Sequence, residues 1–505
     1  MPKPSRATWA LIAAVIGSSM SFIDGSAVNV ALPVLQHDLH ATAAAAQWVV
    51  ESYALLLSAL ILIGGSLGDL FGRRRVYGLG IALFAAASAV CALAPNAAWL
   101  IVGRSLQGVG GALATPGSLA LISANYSGVA RGRAIGTWSG ASGITAALGP
   151  VLGGALVQFG SWRYVFVINL PLAALVLAIL AFGVDESRDE TVTRHVDVWG
   201  ATLATLGLGA LVYGLIDLQG ARTSVPIVAI VLGAGALVAF AIVETRVAQP
   251  MLPLTFFRTR RFALANAYTL LLYAALGGSL FFVPFDLINV QHYPPSLAGG
   301  ALLPMIAIMF VFSRLSGGLV ARIGARGPLV VGAVLAATGF FVFANAGIGH
   351  SYWTTFFVGS VVLGFGAACF VAPLTTTVMD ALEPAHAGIA SGVNNAVSRT
   401  AGLVAIAALG IALANAFSQT LDRTLAGAHL SRATSDVVAR ERAAIIGGHV
   451  PSGIADSRER ALVARAIASA YADGFHLVML VSALLALAAA PLALDASFRR
   501  TAPSR

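Results

Sequence analysis

Apolar residues fill this chain in long blocks, and polar residues gather in short breaks between them. A helix needs about 20 consecutive apolar residues to cross the hydrocarbon of a bilayer. On that measure the pattern predicts fourteen spanning helices. The first seven lie near 8–34, 43–65, 76–95, 98–123, 133–158, 163–183 and 198–217. The rest lie near 225–245, 262–287, 296–320, 328–347, 353–378, 387–415 and 473–495. Helices seven and eight are rich in glycine and flanked by weak turn signals. Segment 416–472 is rich in Ala, Ser and Arg, with mixed charge and helical spacing over 431–470. It reads as a partly helical hairpin outside the membrane.

A repeat organises the blocks. Residues 64–75, GGSLGDLFGRRR, return in degenerate form as GGLVARIGAR at 317–326. Gly65 matches Gly317, Gly72 matches Gly324 and Arg74 matches Arg326, an offset of 252 positions. The first copy ends helix 2 and the second ends helix 10, so an additional helix pair must separate two six-helix halves. The expected fold is therefore an all-α integral membrane bundle with an internal duplication, a common plan for secondary transporters. The expected division is 1–183 for the first half and 184–261 for two inserted helices with their flanking loops. The second half follows at 262–495, including the outer segment 416–472, with a cytoplasmic tail at 496–505.

Composition agrees. Hydrophobic residues make up 58% and charged residues 10% of the chain, against about 25% charged in soluble domains. The net charge of +9 is topological and does not signal nucleic acid. With the N-terminus inside, the cytoplasmic loops and tails hold about eighteen Lys and Arg, including Arg73, Arg74, Arg75, Arg131, Arg133, Arg258, Arg260, Arg261, Arg322 and Arg326. The short outer loops hold Arg163 and Arg222. An even number of spans puts both termini in the cytoplasm, in keeping with Arg499 and Arg500. The first helix reads as a retained anchor, since its apolar block is too long for a signal peptide. Lys3 is the only lysine. That excludes a Walker A nucleotide site and any Schiff-base lysine within the spans. Cys91 and Cys369 fall inside spans and read as small packing residues.

Charge inside a span is expensive and needs a reason. Asp24 lies about ten residues, roughly 15 Å, from the outer end of helix 1. Glu51 in helix 2 and Arg104 in helix 4 fall at a similar depth. A guanidinium near carboxylates and burial act on a carboxyl in opposite senses, and their balance can tune it for reversible protonation. Two readings stand for the trio: an ion pair that orients helices, or a site for a coupling proton or substrate. Helix 5 carries GASGITAALGPVLGG, residues 140–154. Gly149 and Pro150 should bend it. Gly140, Gly143, Gly149, Gly153 and Gly154 offer a smooth face, either for plain packing or for a gate. Asp217 and Asp286 read as solvated boundary residues first, and as members of a relay second. Asn394, Asn395, Ser398 and Arg399 form a polar cluster in helix 13, facing a cavity or a neighbouring helix. Phe281, Phe282 and Phe285 read as interface or packing aromatics. The nine histidines show no metal spacing.

These residues resemble a known family. GGSLGDLFGRRR is similar to motif A of the major facilitator superfamily, with Gly65, Gly68, Asp69, Gly72, Arg73 and Arg74 on its pattern. LIVGRSLQGVGGA, residues 100–112, resembles motif B and carries Arg104 and Gln107. The helix 5 run resembles motif C, the antiporter motif. FIDGSAVNVALP, WRYVFVINLP at 162–171 and ASGVNNAVSRTAG at 390–402 resemble the fourteen-helix drug/proton antiporters. The resemblance implies alternating access. It implies that Asp69 and Arg73 help hold a cytoplasmic gate, and that Asp24 and Arg104 serve coupling or substrate binding. The second copy of motif A has Ala321 in place of the acid, so no gate carboxylate carries over to the second half. Asp286 stands where relatives look polar but uncharged.

The expected function is proton-coupled export of lipophilic or cationic small molecules across the cell (inner) membrane. No cofactor is expected beyond the proton as coupling ion. The expected partners are the lipid bilayer, the substrate and protons, with no nucleic acid. An adaptor and an outer-membrane channel enter only for an organism with two membranes. The alternatives are a dedicated metabolite exporter, an uptake symporter and, from a different class, a membrane-embedded enzyme. Against the enzyme stands the absence of a nucleophile–base or metal constellation in the spans.

Overall fold

The computed structural model of the protein describes the chain outside residues 1–4, 127, 189–196, 219–223, 248–249, 350, 384–386, 429, 442–444, 446–449, 452 and 499–505. Arg222, Arg499 and Arg500 therefore lie outside the described residues, as do the side chains of Asp69, Arg131, Arg133 and Arg322 and the packing around Gly140 and Gly143.

The described residues form helices and no strand. In order they are α1 (Arg6–Asp38), α2 (Ala43–Phe71), α3 (Arg73–Ala92), α4 (Ala97–Asn125), α5 (Gly128–Phe159), short α6 (Tyr164–Val167) and α7 (Asn169–Gly183). Then come α8 (Val198–Asp217), α9 (Val225–Glu244), α10 (Arg260–Phe285), α11 (Pro295–Gly300), α12 (Leu303–Ile323) and α13 (Arg326–Ala344). Last are α14 (Phe356–Met379), α15 (Ala387–Ala426), α16 (Arg432–Arg440) and α17 (Ser457–Ala493). The stretches expected to span are helical, with 163–183 divided between α6 and α7 and 296–320 between α11 and α12. Twelve segments among the described residues are long and apolar enough to cross a membrane. The others are α4, 29 residues with Arg104 and several glycines, and α5, 32 residues that include side chains outside the description.

The chain packs as two compact units. One comprises Met1–Leu35, Trp48–Leu211 and Ala229–Pro253; the other comprises Gln36–Gln47, Val212–Val228 and Leu254–Arg505. In the first, α3 and α4 touch backbone to backbone: a Cβ on Gly110 would stand 2.7 Å from the Phe84 nitrogen, and one on Gly80 2.8 Å from the Ala114 nitrogen. Buried Tyr77 ties α3 to α1 by donating to the Ala13 carbonyl at 2.9 Å. In the second unit α13 and α14 touch in the same way, at Gly332 and Gly366. Gly80 and Gly332 are related by the 252-position offset of the sequence repeat. So are the chain reversals at Gly72 (φ 108°) and Gly324 (φ 82°), where a left-handed backbone favours glycine. Large apolar side chains remain exposed on the outside, including Phe182, Val231 and Leu232, as a lipid-facing surface requires.

Segment 416–472 is partly helical, and its two ends continue the helices on either side of it. Helix α15 runs on to Ala426, and α17 starts at Ser457, where the Asp456 side chain accepts from the N–H groups of Arg458 and Glu459. Thr420 donates to Asp473 at 2.7 Å and holds the two extensions side by side. Asp286 is not a solvated boundary residue. It is fully buried, on the π-turn Asp286–Val290 that follows α10.

Candidate functional site

Four helices of the first unit converge on Asp24. Arg104 on α4 reaches it with Nη1 at 2.5 Å from Oδ2, and both side chains are almost wholly buried. Gln107, one turn on along α4, donates Nε2 to Asp24 Oδ1 at 3.2 Å and accepts from Arg104 Nη1 at 2.8 Å. Asn169, the first residue of α7, donates to the same Oδ1 at 2.9 Å. Ser88 on α3 closes the ring: its Oγ accepts from Gln107 Nε2 at 2.7 Å and from Asn169 Nδ2 at 3.2 Å, and donates to the Phe84 carbonyl. Arg104 Nε donates to the Val49 carbonyl of α2 at 2.9 Å, and the Tyr53 ring covers the guanidinium 4.2 Å from its centroid.

Removing two ions from water costs several kcal/mol each, and a buried pair survives only when geometry and further hydrogen bonds offset that cost. Here three side chains donate to one carboxylate, and the guanidinium has a carboxylate, an amide, a carbonyl and an aromatic face. The polar cage holds charge inside an apolar bundle. It also links four helices through one group that can gain or lose a proton.

Of the sequence candidates, Asp24, Arg104 and Gln107 meet in this cage. Glu51 does not join it. It is buried in α2 between Val49 and Tyr53, and neither of its oxygens receives a hydrogen bond among the described residues. Asn169, Ser88 and Tyr53 escaped the sequence reading. Asn169 lies inside the run WRYVFVINLP, but a lone asparagine among apolar residues carries no partner's address.

The antiporter-motif glycines of α5 press on α1. A Cβ on Gly153 would sit 2.7 Å from the Ala27 Cα, and one on Gly149 would collide with the Ser26 hydroxyl. Gly154 is buried beside Gly153, and Pro150 lies within the helix between them and Gly149.

Gly65 and Gly68 lie in the last turns of α2, before the reversal at Gly72. Beyond it Glu186 caps α3. Its carboxylate accepts from the N–H groups of Arg74 at 3.0 Å and Arg75 at 3.1 Å, two of the unsatisfied donors of a helix start. The Arg73 N–H donates to the Ser187 carbonyl at 2.8 Å. Arg6 pairs with Asp185 on the same loop. Nothing in the sequence marks Glu186 as the partner of these arginines' backbone.

In the second unit Asn394 accepts from Thr269 Oγ1 at 2.6 Å, so this asparagine binds a neighbouring helix. Asn395 is exposed, Ser398 donates back to the Asn395 carbonyl, and Arg399 is partly buried. Phe281, Phe282 and Phe285 are buried and pack on one another. Asp217 is exposed at the end of α8. Among the described residues there is no group of His, Cys, Asp and Glu that could hold a metal.

Comparison with known proteins agrees with this geometry. The model of the Major Facilitator Superfamily matches residues 14–407. The multidrug resistance protein Stp of Mycobacterium tuberculosis is 37% identical over 486 residues, covering 94% of this chain and 88% of the relative. The tetracenomycin C resistance and export protein of Streptomyces glaucescens is 34% identical over 497 residues, covering 96% and 90%. Among solved structures, a bacterial homolog of the human lysosomal transporter Spinster, inward-facing and unoccupied, aligns with a TM-score of 0.72 at 17% identity over 100% of both chains. With its motifs in order along a membrane-spanning helical bundle, this chain belongs to the Major Facilitator Superfamily.

Proposed function

We propose that the protein is a proton-coupled exporter of lipophilic or cationic small molecules, working by alternating access in the cell membrane. The buried Asp24 cage carries the reading, because one protonatable group there is bonded to Arg104, Gln107 and Asn169 and bridged through Ser88. Protonating Asp24 cancels the charge that Arg104 balances and changes a donor–acceptor pattern shared by α1, α3, α4 and α7. A ligand or proton shifts a two-state equilibrium only if it binds the states differently, and a group tied to four helices meets that condition. The names of the relatives, multidrug resistance and antibiotic export, support drug-like substrates.

In this reading fourteen helices span the membrane, with both termini cytoplasmic. The halves 1–183 and 262–495 flank the inserted pair within 184–261. Gly72, Arg73, Arg74 and Asp69 belong to the cytoplasmic gate, and the contact of Gly149 and Gly153 with α1 is the surface that slides or seals. The proton is the coupling ion and no cofactor takes part. Export of one dedicated compound is the second reading, favoured by relatives named for single antibiotics. A resistance profile of an efflux-deficient strain expressing the chain separates the two. Protection against several unrelated lipophilic cations supports the first reading, protection against one compound supports the second, and no protection against any compound at normal expression contradicts both.

A further inference from the structure

Helices α8 and α9 cross with their backbones in contact: a Cβ on Gly207 would meet the Leu237 nitrogen at 3.1 Å, and one on Gly233 the Leu211 nitrogen at 2.5 Å. This hairpin brings the start of α8 beside the end of α9. Glu244, the last residue of α9, is 2% exposed. Asp197, directly before α8, is its neighbour. They meet over Gly200, where a Cβ would lie 2.6 Å from Glu244 Oε1 and closer still to Asp197 Oδ2.

The other oxygen of each acid has its own donor. Glu244 Oε2 accepts from the Leu252 N–H at 2.8 Å, and Asp197 Oδ1 from the Gly200 N–H at 2.7 Å. The facing oxygens, Glu244 Oε1 and Asp197 Oδ2, are buried and receive no N–H or O–H from another described group. Among the described residues neither Glu244 nor Asp197 has an ion-pair partner. Arg246, two residues on, is exposed. Residues 189–196 and 248–249 lie outside the described residues.

Two like charges 4 Å apart repel by about 4 kcal/mol at an effective dielectric of 20. A buried oxygen with no donor costs about 1–3 kcal/mol more. One proton between the facing oxygens removes the repulsion and gives both oxygens a partner, the arrangement of a carboxyl dyad.

We propose that Asp197 and Glu244 form a second proton-binding site, a carboxyl pair that holds one shared proton and latches the end of the α8–α9 hairpin to the linker leading into α10. Loss of that proton sets the two carboxylates against each other and loosens the start of α8 from the end of α9. The site involves none of the residues of the Asp24 cage and depends neither on the substrate nor on the role of Asp24.

The test is the infrared difference spectrum of the full-length protein in liposomes, between mildly acid and mildly alkaline buffer. Wild type should show a protonated-carboxyl band lost on the alkaline side. Glu244→Gln and Asp197→Asn should each lose that component, while Asp24→Asn keeps it. An amide donates an N–H where the shared proton sits, so both variants should fold. A second readout needs no loss of band: trypsin cleavage after Arg246 in wild type should rise with pH relative to another exposed site, and be flat in Glu244→Gln. Spectra of Glu244→Gln and Asp197→Asn identical to wild type would overturn the proposal. So would a titration seen only with added Mg²⁺ or Ca²⁺, which would make the pair a cation site.

Discussion

Arg104 Nη1 stands 2.5 Å from Asp24 Oδ2, with the guanidinium 1% and the carboxylate 0% exposed. Removing one partner of a buried pair costs about 3–5 kcal/mol, because the other is left charged and alone. Arg104→Ala should therefore lower both thermal stability and transport. Arg104→Lys keeps the charge but loses the fork that serves Asp24, Gln107 and Val49 at once. It should recover part of the stability and little of the coupled transport. Thermal unfolding in detergent beside transport in liposomes measures the two separately.

Asn169 donates to the Asp24 carboxylate, and Ser88 accepts from the Asn169 and Gln107 amides beside it. Asn169→Ala removes one of the three side-chain donors to Asp24, and hydrogen bonds to charged groups are worth about 1.5–3 kcal/mol. Proton-coupled transport by Asn169→Ala should fall by roughly tenfold or more on that scale. Normal coupled rates in this variant would remove Asn169 from the site.

Glu186 satisfies two N–H groups at the start of α3. Loss of a helix cap costs about 0.5–2 kcal/mol. Glu186→Ala should slow transport while leaving substrate affinity within about twofold, since the residue lies at the helix end remote from Asp24. Glu186→Gln keeps acceptor oxygen but no charge and should lie between. Hydrogen exchange over residues 73–76 should rise in Glu186→Ala; unchanged protection there would contradict the capping role.

Gly153 allows α5 to lie on Ala27 of α1. A valine there forces the helices apart, and overpacking costs about 1–3 kcal/mol. Gly153→Val should reach the membrane yet lose transport. Cross-linking between cysteines placed at 27 and 153 in a Cys91- and Cys369-free background should capture wild-type contact.

Much of this was legible because membrane physics writes itself into composition. Block length gave the helices, and the offset between Gly72 and Gly324 gave the duplication, which the paired left-handed glycines repeat in the structure. Asp24 and Arg104 were visible because an ion inside an apolar helix has few excuses. Their partners were not. Ser88 and Asn169 are neutral, short and common, and only the packing of α3 and α7 makes Asn169 a donor to the carboxylate and Ser88 an acceptor for the amides beside it. Glu186 sits in an ordinary polar loop and gains its role from the donors of a helix far away in sequence. Asp286 reads as solvated because it stands near a helix end, while it sits buried on the π-turn Asp286–Val290.

The central claim is that Asp24 carries the coupling proton. The measurement is substrate-induced proton movement in proteoliposomes at controlled pH, with wild type and Asp24→Asn compared at equal protein. A pH gradient supplies about 1.4 kcal/mol per proton per pH unit. Wild type should move protons opposite to substrate and accumulate substrate against its gradient. Asp24→Asn should lose both, while downhill exchange or substrate binding survives in part. Full proton-coupled uphill transport by Asp24→Asn would contradict the claim and pass the role to Glu51, the other buried carboxyl at this depth of the first unit.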